Sequence, residues 1–258
     1  MARAVGSAGL PHLDHVVVVV LENHGAGQIL GNPSAPYLNG LAQHGASFTD
    51  AHAMTHPSEP NYLALFSGST QGVTSDACPL RFSSPNLASA LFAAGRSFVG
   101  YADGLPYDGF TGCSSGRYGR KHAPWVNFTD VPASANQSFR RFPADYATLP
   151  TVAFVVPDLC HDMHDCSVGT GDTWVRDNLG GYVTWAAAHD SALVVTFDED
   201  ESTEANHVVT LFVGAHIQPG NYGEPVDHVR VLRTVEDLFG LPPVGASAAR
   251  APITDIWD

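Results

Sequence analysis

The chain has 258 residues, of which 44% are hydrophobic, and this length and composition suit one α/β domain spanning residues 1–258. Its formal net charge of −14, with no dense cluster of Lys and Arg, argues against nucleic acid or an anionic membrane as a partner, because those partners bind basic faces. The longest apolar run, residues 16–21, is far shorter than the roughly 20 residues that span a bilayer, so we expect no integral membrane segment. Nothing in the composition sets the oligomeric state.

The N-terminus and the cysteines bear on the compartment. Residues 1–11 contain small residues and one arginine but no apolar core, so we expect no signal peptide in this sequence. An even number of cysteines without CxxC spacing favours two disulfide bonds, Cys78 with Cys113 and Cys160 with Cys166; the alternative is four reduced thiols. We therefore expect a secreted protein, or one of the periplasm or cell envelope.

Short β-branched runs alternate with segments of helical periodicity along the chain. The predicted elements, in chain order, are a strand at 16–21, helices at 35–44, 60–66 and 86–94, strands at 97–101 and 152–156, a helix at 173–189, strands at 192–197 and 208–213, and a helix at 229–239. An unbroken apolar strand such as 16–21 is typical of a parallel sheet that is covered on both faces. The pattern predicts a three-layer α/β sandwich, with a central mostly parallel sheet and helices on both faces.

The stretch 101–150 is rich in Gly, Pro, Ser and aromatic residues and has little periodicity. Long ordered loops in compact domains are usually functional. We expect an irregular excursion over the mouth of the active site; the alternative is a surface insertion that covers part of the sheet.

Polar side chains follow three of the predicted strands, where ligands bind in open α/β sheets. They are Glu22, Asn23 and His24; then Asp158, His161, Asp162, His164 and Asp165; then Asp198, Glu199, Asp200 and Glu201. Oxygen donors with nearby imidazoles suit a hard or borderline divalent metal. The alternative is that some of these residues are ordinary turns, helix caps or a solvated acidic loop.

Ser58 lies at or just before the start of the helix that contains Pro60. A serine at this position is usually only a helix cap. The same position also suits attack on phosphorus, because helix N-termini stabilise anions and a metal can lower the pKa of the hydroxyl. Asn61, within a helical turn of Ser58, could donate to a phosphoryl oxygen.

Taken together, these residues resemble the bacterial and fungal phosphoesterase family of acid phosphatases and phospholipases C, within the alkaline phosphatase superfamily. The resemblance covers nearly the whole chain and is carried by VVLENH (19–24), THPSEPNYLALFSG (55–68), TGCSSG (111–116), PDLCHDMHD (157–165), GDTW (171–174), TFDED (196–200), FVGAH (212–216), VLRT (231–234) and PITDIW (252–257). It implies an alkaline-phosphatase-like fold.

The resemblance also implies roles for individual residues. Ser58 is the expected nucleophile, with Asn61, Asp162 and His164 as the other catalytic residues. The implied ligands of a divalent metal ion (Mg, Ca, Mn or Zn) are Glu22, Asn23, Ser58, Asp198 and Glu199. The expected contacts to the substrate come from His56, Asn61, His161, His164 and His228. Asp158 and His161 depart from the family pattern and could recruit another ion.

The function expected from this set is metal-dependent hydrolysis of small phosphate monoesters, as in acid phosphatases, through a phosphoserine at Ser58. The first alternative is a phosphodiesterase of the phospholipase C type. The second is an acidic metal-binding module without catalysis.

Overall fold

The valine run 16–20 forms the middle of a strand in the centre of an eight-stranded sheet. The computed structural model describes residues 9–258, so the part of the signal-peptide prediction that concerns residues 1–8 lies outside the described residues. The strands are β1 His15–Leu21, β2 Ala46–His52, β3 Phe98–Ala102, β4 Ser114–Ser115, β5 Tyr118–Gly119, β6 Asn136–Ser138, β7 Val152–Val156, β8 Ser191–Phe197, β9 Thr210–Gly214 and β10 Gly220–Asp227.

The main sheet has the order β10-β2-β9-β8-β1-β7-β3-β6, while β4 and β5 form a separate two-stranded ribbon. β9 runs antiparallel to both neighbours, and the other pairs in the main sheet are parallel. The predicted mostly parallel α/β sheet is therefore confirmed.

Helices cover both faces of this sheet. They are α1 Ala26–Ile29, α2 Pro36–His44, α3 Ser58–Ser67, α4 Leu87–Ala93, α5 Val168–Ala186 and α6 His228–Leu238. Alternate residues of β1 enter different cores: Val16, Val18 and Val20 pack with α3, α4 and α6, and the residues between them pack with α1, α2 and α5. This period-two division is the physical basis of the three layers.

The structure differs from the prediction mainly at the edges of the sheet. β2, β6 and β10 were not predicted, because none of them contains an apolar run: β2 and β6 are largely polar or short, and β10 mixes polar residues with glycine and proline. In β10 the pairing register shifts between Tyr222 and Pro225, which is the kind of edge position that tolerates proline. The strand expected at 208–213 begins two residues later, at Thr210.

Helix α5 begins five residues before the predicted start, and the glycines of its first turns explain the difference. Ser167 caps the helix, and its side chain accepts a hydrogen bond from the backbone N–H of Thr170. A Cβ atom on Gly171 would lie 2.4 Å from Cγ of Met163 and 2.8 Å from the carbonyl oxygen of His161. Glycine is thus required for the close contact between α5 and the loop after β7.

Both predicted disulfide pairings are confirmed, with Cα–Cα distances of 5.8 Å for Cys78–Cys113 and 4.7 Å for Cys160–Cys166. Among residues 9–258, none of the helices is long and apolar enough to cross a bilayer.

The stretch between β3 and β7 is mostly short 3-10 turns and is held together by Arg120. This buried guanidinium donates hydrogen bonds to the carbonyl oxygens of Thr111, Leu80 and Val126 and to Oδ1 of Asn127. The two residues after Arg120 are Lys121, which contacts Asp76, and His122, which contacts Glu22.

Candidate active site

Ser58 is the first residue of α3 and is only 2% exposed. Its hydroxyl lies 3.1 Å from Oε2 of Glu22 and 3.0 Å from Oε1 of Glu199. Pro57, not Ser58, occupies the cap position. The hydroxyl is therefore directed at two carboxylates and not at the backbone of its own helix.

Strand register explains why these carboxylates meet. Leu21 of β1 pairs with Phe197 of β8 in a parallel register, so the residues that follow each strand emerge at the same edge of the sheet. The backbone N–H of Asn23 donates to Oδ1 of Asp198 across this edge, at 3.1 Å, and Asn23 itself has a left-handed backbone with φ 54°. Glu22, Asp198 and Glu199 consequently form one acidic group beside Ser58.

Asp162 joins the group from the loop after β7, which the Cys160–Cys166 disulfide closes. Its carbonyl oxygen accepts the backbone N–H of Glu22 at 2.9 Å. Its Oδ1 accepts the backbone N–H of His164 at 2.8 Å, while Oδ2 is buried without a hydrogen-bond partner. The loop is therefore fixed directly against the end of β1.

His122 was not predicted as a site residue. Its ring is 2% exposed and stacks on Tyr62, with Nε2 3.0 Å from Oε1 of Glu22 and Nδ1 3.4 Å from Oδ2 of Asp162. Tyr62 donates its hydroxyl to the same Glu22 oxygen at 2.6 Å. The only sequence signal for His122 is the basic triplet 120–122 within an otherwise Gly-, Ser- and aromatic-rich stretch.

Burial dominates the electrostatics of this group. It raises the pKa of Glu22 to about 8, with a further contribution from Asp162, and it raises the pKa of Asp162 to about 7. Burial and the charges of Glu22 and Glu199 raise the pKa of Asp198 well above its usual range. Burial, together with Lys121 and His164, lowers the pKa of His122 well below its usual range.

This arrangement suits a divalent cation. Oδ2 of Asp162 and Oδ2 of Asp198 are buried without hydrogen-bond partners, and buried Nε2 of His122 makes no well-aligned hydrogen bond despite its 3.0 Å distance from Oε1 of Glu22. Ligand atoms of Glu22, His122 and Asp162 all lie within 4.8 Å of one another. Buried carboxylates and unpaired polar atoms are costly on their own, and a cation among them would remove both costs.

Two of the predicted histidines lie at the partly exposed rim. His56 Nδ1 lies 2.5 Å from Oε2 of Glu199, and its Nε2 lies 3.1 Å from the carbonyl oxygen of Thr203. Burial opposes protonation of His56, but these two contacts raise its pKa on balance. The side chain of His164 is about one-third exposed, and its Nδ1 lies 2.8 Å from Oδ1 of Asp165.

The structure does not bring the other three predicted residues to the hydroxyl of Ser58. Asn61 uses its side chain on the backbone of residues 54–57, accepting from Met54 and Thr55 N–H and donating to Thr55 and Pro57 carbonyls. Buried His228 contacts the carbonyl oxygen of Phe197 at 2.9 Å.

His161 belongs to a separate group with Asp103 and Asp158. Its Nδ1 lies 2.7 Å from Oδ2 of Asp103 and 3.2 Å from Oδ1 of Asp158. Its ring also packs against Trp174.

Comparison of the sequence with known proteins identifies the family of the chain. The model of the "Phosphoesterase family" matches residues 30–242. Over 98% of its length the chain is 48% identical to a phosphatidylinositol-3-phosphatase of Mycobacterium tuberculosis, 86% of which is covered. It is 30% identical to an acid phosphatase of Aspergillus fumigatus over 84% of this chain and 53% of that protein, so it spans about half of the fungal enzyme.

Solved structures show the same fold at low sequence identity. A protein of the alkaline phosphatase superfamily from Vibrio parahaemolyticus superposes with a TM-score of 0.64 at 15% identity, over 96% of this chain and 72% of that one. The periplasmic domain of the phosphoethanolamine transferase EptC from Campylobacter jejuni gives a TM-score of 0.60 at 11% identity, over 94% of both chains. The chain is a hydrolase of phosphoric ester bonds and belongs to the phosphoesterase family.

Proposed function

We propose that the protein is a metal-dependent phosphomonoesterase, similar to acid phosphatases, that forms a phosphoserine at Ser58. The observation that carries the proposal is the Ser58 hydroxyl, held between Glu22 and Glu199 at the N-terminus of α3. The M. tuberculosis relative is named for removing a phosphate monoester, which favours monoesters over the diesters of a phospholipase C.

The metal ligands in this proposal are Glu22, Asn23, Ser58, Asp198 and Glu199. A divalent ion bound there, whether Mg, Ca, Mn or Zn, would supply positive charge that offsets the buried carboxylates and would lower the pKa of the Ser58 hydroxyl. His56 steadies Glu199 through their contact, and His228 fixes the backbone just before Asp198.

In the first half of the reaction, Ser58 attacks phosphorus and its proton passes to Glu199, which its hydroxyl contacts at 3.0 Å. The N-terminus of α3 stabilises negative charge on the phosphoryl oxygens. His164, at the exposed rim, protonates the departing alcohol, with Asp162 orienting the backbone N–H of His164. Asn61 holds the backbone that precedes Ser58. In the second half, water attacks the phosphoserine and gives a proton to His164, the bond between phosphorus and Oγ of Ser58 breaks, Ser58 takes its proton back from Glu199, and inorganic phosphate leaves.

The variant Ser58→Ala tests the nucleophile. We expect turnover of p-nitrophenyl phosphate to fall by at least about 1,000-fold, because attack on phosphorus needs the hydroxyl. Acid-quenched wild-type protein should carry a phosphoryl group on the peptide that contains Ser58. Ser75→Ala, which changes an exposed serine, is the matched control. Near-normal turnover by Ser58→Ala would rule out this mechanism.

The two alternatives give different results in the same assays. A phosphodiesterase would cleave bis(p-nitrophenyl) phosphate faster than the monoester. A metal-binding module without catalysis would gain thermal stability from metal but release no phosphate. The two disulfides further support export to an oxidising compartment, and we propose small phosphate esters as substrates.

A further inference from the structure

Lys121 is the single lysine of the 258-residue chain, and it lies next to His122 in the turn that enters the site. Its Nζ is 2.9 Å from Oδ2 of Asp76. Oδ1 of Asp76 accepts the backbone N–H of Glu59, the residue after Ser58, at 3.0 Å. One carboxylate therefore connects the ammonium group to the first turn of α3.

The ammonium group of Lys121 has hydrogen-bond donors that no described residue uses. An ammonium has three N–H donors, and Asp76 is its one hydrogen-bond partner among the described residues. The side chains of Lys121 and Asp76 are 22% and 29% exposed, whereas Ser58 is only 2% exposed. Lys121 thus places a partly solvent-accessible positive charge one carboxylate away from the first turn of α3, which begins at the buried Ser58.

The surroundings keep this group charged. Burial lowers the pKa of Lys121, but Asp76, Glu22 and Asp198 together outweigh burial and raise it. Its charge in turn lowers the pKa of Glu22, against the larger effect of burial. The neighbouring Arg120 is not a second cation for the substrate, since its guanidinium donates to three backbone carbonyls and Asn127.

We propose that Lys121 binds the phosphate of the substrate and selects doubly charged monoesters over singly charged diesters. The inference rests on the phosphomonoesterase function proposed above. A phosphate monoester carries about two negative charges at pH 7, because its second pKa is about 6, whereas a diester carries one. Attraction to one fixed cation scales with the charge of the ligand, so Lys121 favours the monoester. Asp76 orients the ammonium without using all of its donors.

The test compares kcat/KM for p-nitrophenyl phosphate and for bis(p-nitrophenyl) phosphate in the metal-loaded full chain. We expect Lys121→Gln to lower the monoester value about 10- to 100-fold and the diester value less than about 3-fold, since a hydrogen bond to a charged group contributes roughly that factor. Lys121→Arg should keep part of the preference. Arg117→Gln, an exposed cation nearby with the same change of charge, should leave both values within about 2-fold.

A second measurement does not need turnover or a variant of Lys121. An amine-reactive reagent should modify one ε-amino group, which peptide mass spectrometry locates at Lys121. Inorganic phosphate should slow this labelling in both the wild type and Ser58→Ala.

The possible failures are distinguishable. Equal losses for both esters in Lys121→Gln, or labelling that phosphate does not slow, would overturn the role of Lys121. If the wild type releases no phosphate from the monoester, or Ser58→Ala stays active, the proposed function fails instead.

Discussion

Glu236 shows at the scale of one residue how burial sets a charge state. It lies on α6 with no exposed surface, and its oxygens contact the backbone N–H of Val244 and the hydroxyl of Ser247. Burial raises its pKa from 4.5 to about 7, although both contacts lower it. The folded protein therefore holds a proton on Glu236 that the unfolded chain releases.

The sign of the pH dependence follows from this difference. Between pH 4.5 and about 7 the unfolded state binds fewer protons at this position, so the free energy of unfolding falls as pH rises. We expect Glu236→Gln to remove this fall. Toward pH 7 its free energy of unfolding should exceed that of the wild type by on the order of 1 kcal/mol. Urea denaturation at several pH values measures the gain. Exposed Glu204→Gln is the control, and parallel curves for Glu236→Gln and wild type would contradict the argument.

Some residues of the site could be predicted from the sequence, and His122 could not. Glu22, Asp198 and Glu199 directly follow apolar strands, so their convergence at one edge followed from the parallel sheet. His122 follows no strand, and it meets Glu22 only because Arg120 folds an aperiodic stretch back over the sheet. Contacts of that kind depend on tertiary packing, which local periodicity does not encode.

The turn Arg120–His122 positions Lys121 beside Asp76 and His122 beside Glu22. We expect Arg120→Met to lower the free energy of unfolding by about 3 kcal/mol, because it leaves the buried Oδ1 of Asn127 and three partly buried carbonyl groups without their donor. Turnover should fall as well, because both following residues lose their support. Denaturation and kcat/KM measure the two effects. Arg117→Met, on the exposed surface, should change neither, and unchanged stability in Arg120→Met would refute the anchoring role.

The buried strands could be predicted from the sequence, whereas the edge strand β10 could not. β1, β7 and β8 are buried along almost their whole length, so their apolar runs identified them. β10 alternates between partly buried and exposed residues, and it contains glycine and proline. At an edge, one side of the strand needs no partner, and pairing with β2 decides the conformation in place of intrinsic preference.

For the whole molecule, we expect the acidic group beside Ser58 to couple stability to metal binding. We expect the thermal midpoint to rise by about 5 °C or more when a divalent ion at 100 times its Kd is added to chelated protein, since binding to the folded state alone contributes about 2.7 kcal/mol. Glu22→Gln should reduce this shift, whereas exposed Glu204→Gln should retain it. Differential scanning fluorimetry with each of Mg, Ca, Mn and Zn would rank the ions. Equal midpoints with and without metal would show that the group binds no cation.

All four cysteines lie in loops outside the strands and helices, yet both disulfides border the site. Cys160–Cys166 encloses Asp162 and His164, and Cys78–Cys113 joins the segment after Asp76 to the stretch that leads to Arg120. Because neither disulfide joins two strands of the main sheet, we expect the sheet to form while the thiols are still reduced and the loops around Ser58 to be tied down only after an oxidant has acted. We therefore expect a newly made chain to gain its tethered active-site loops only in a compartment where thiols are oxidised.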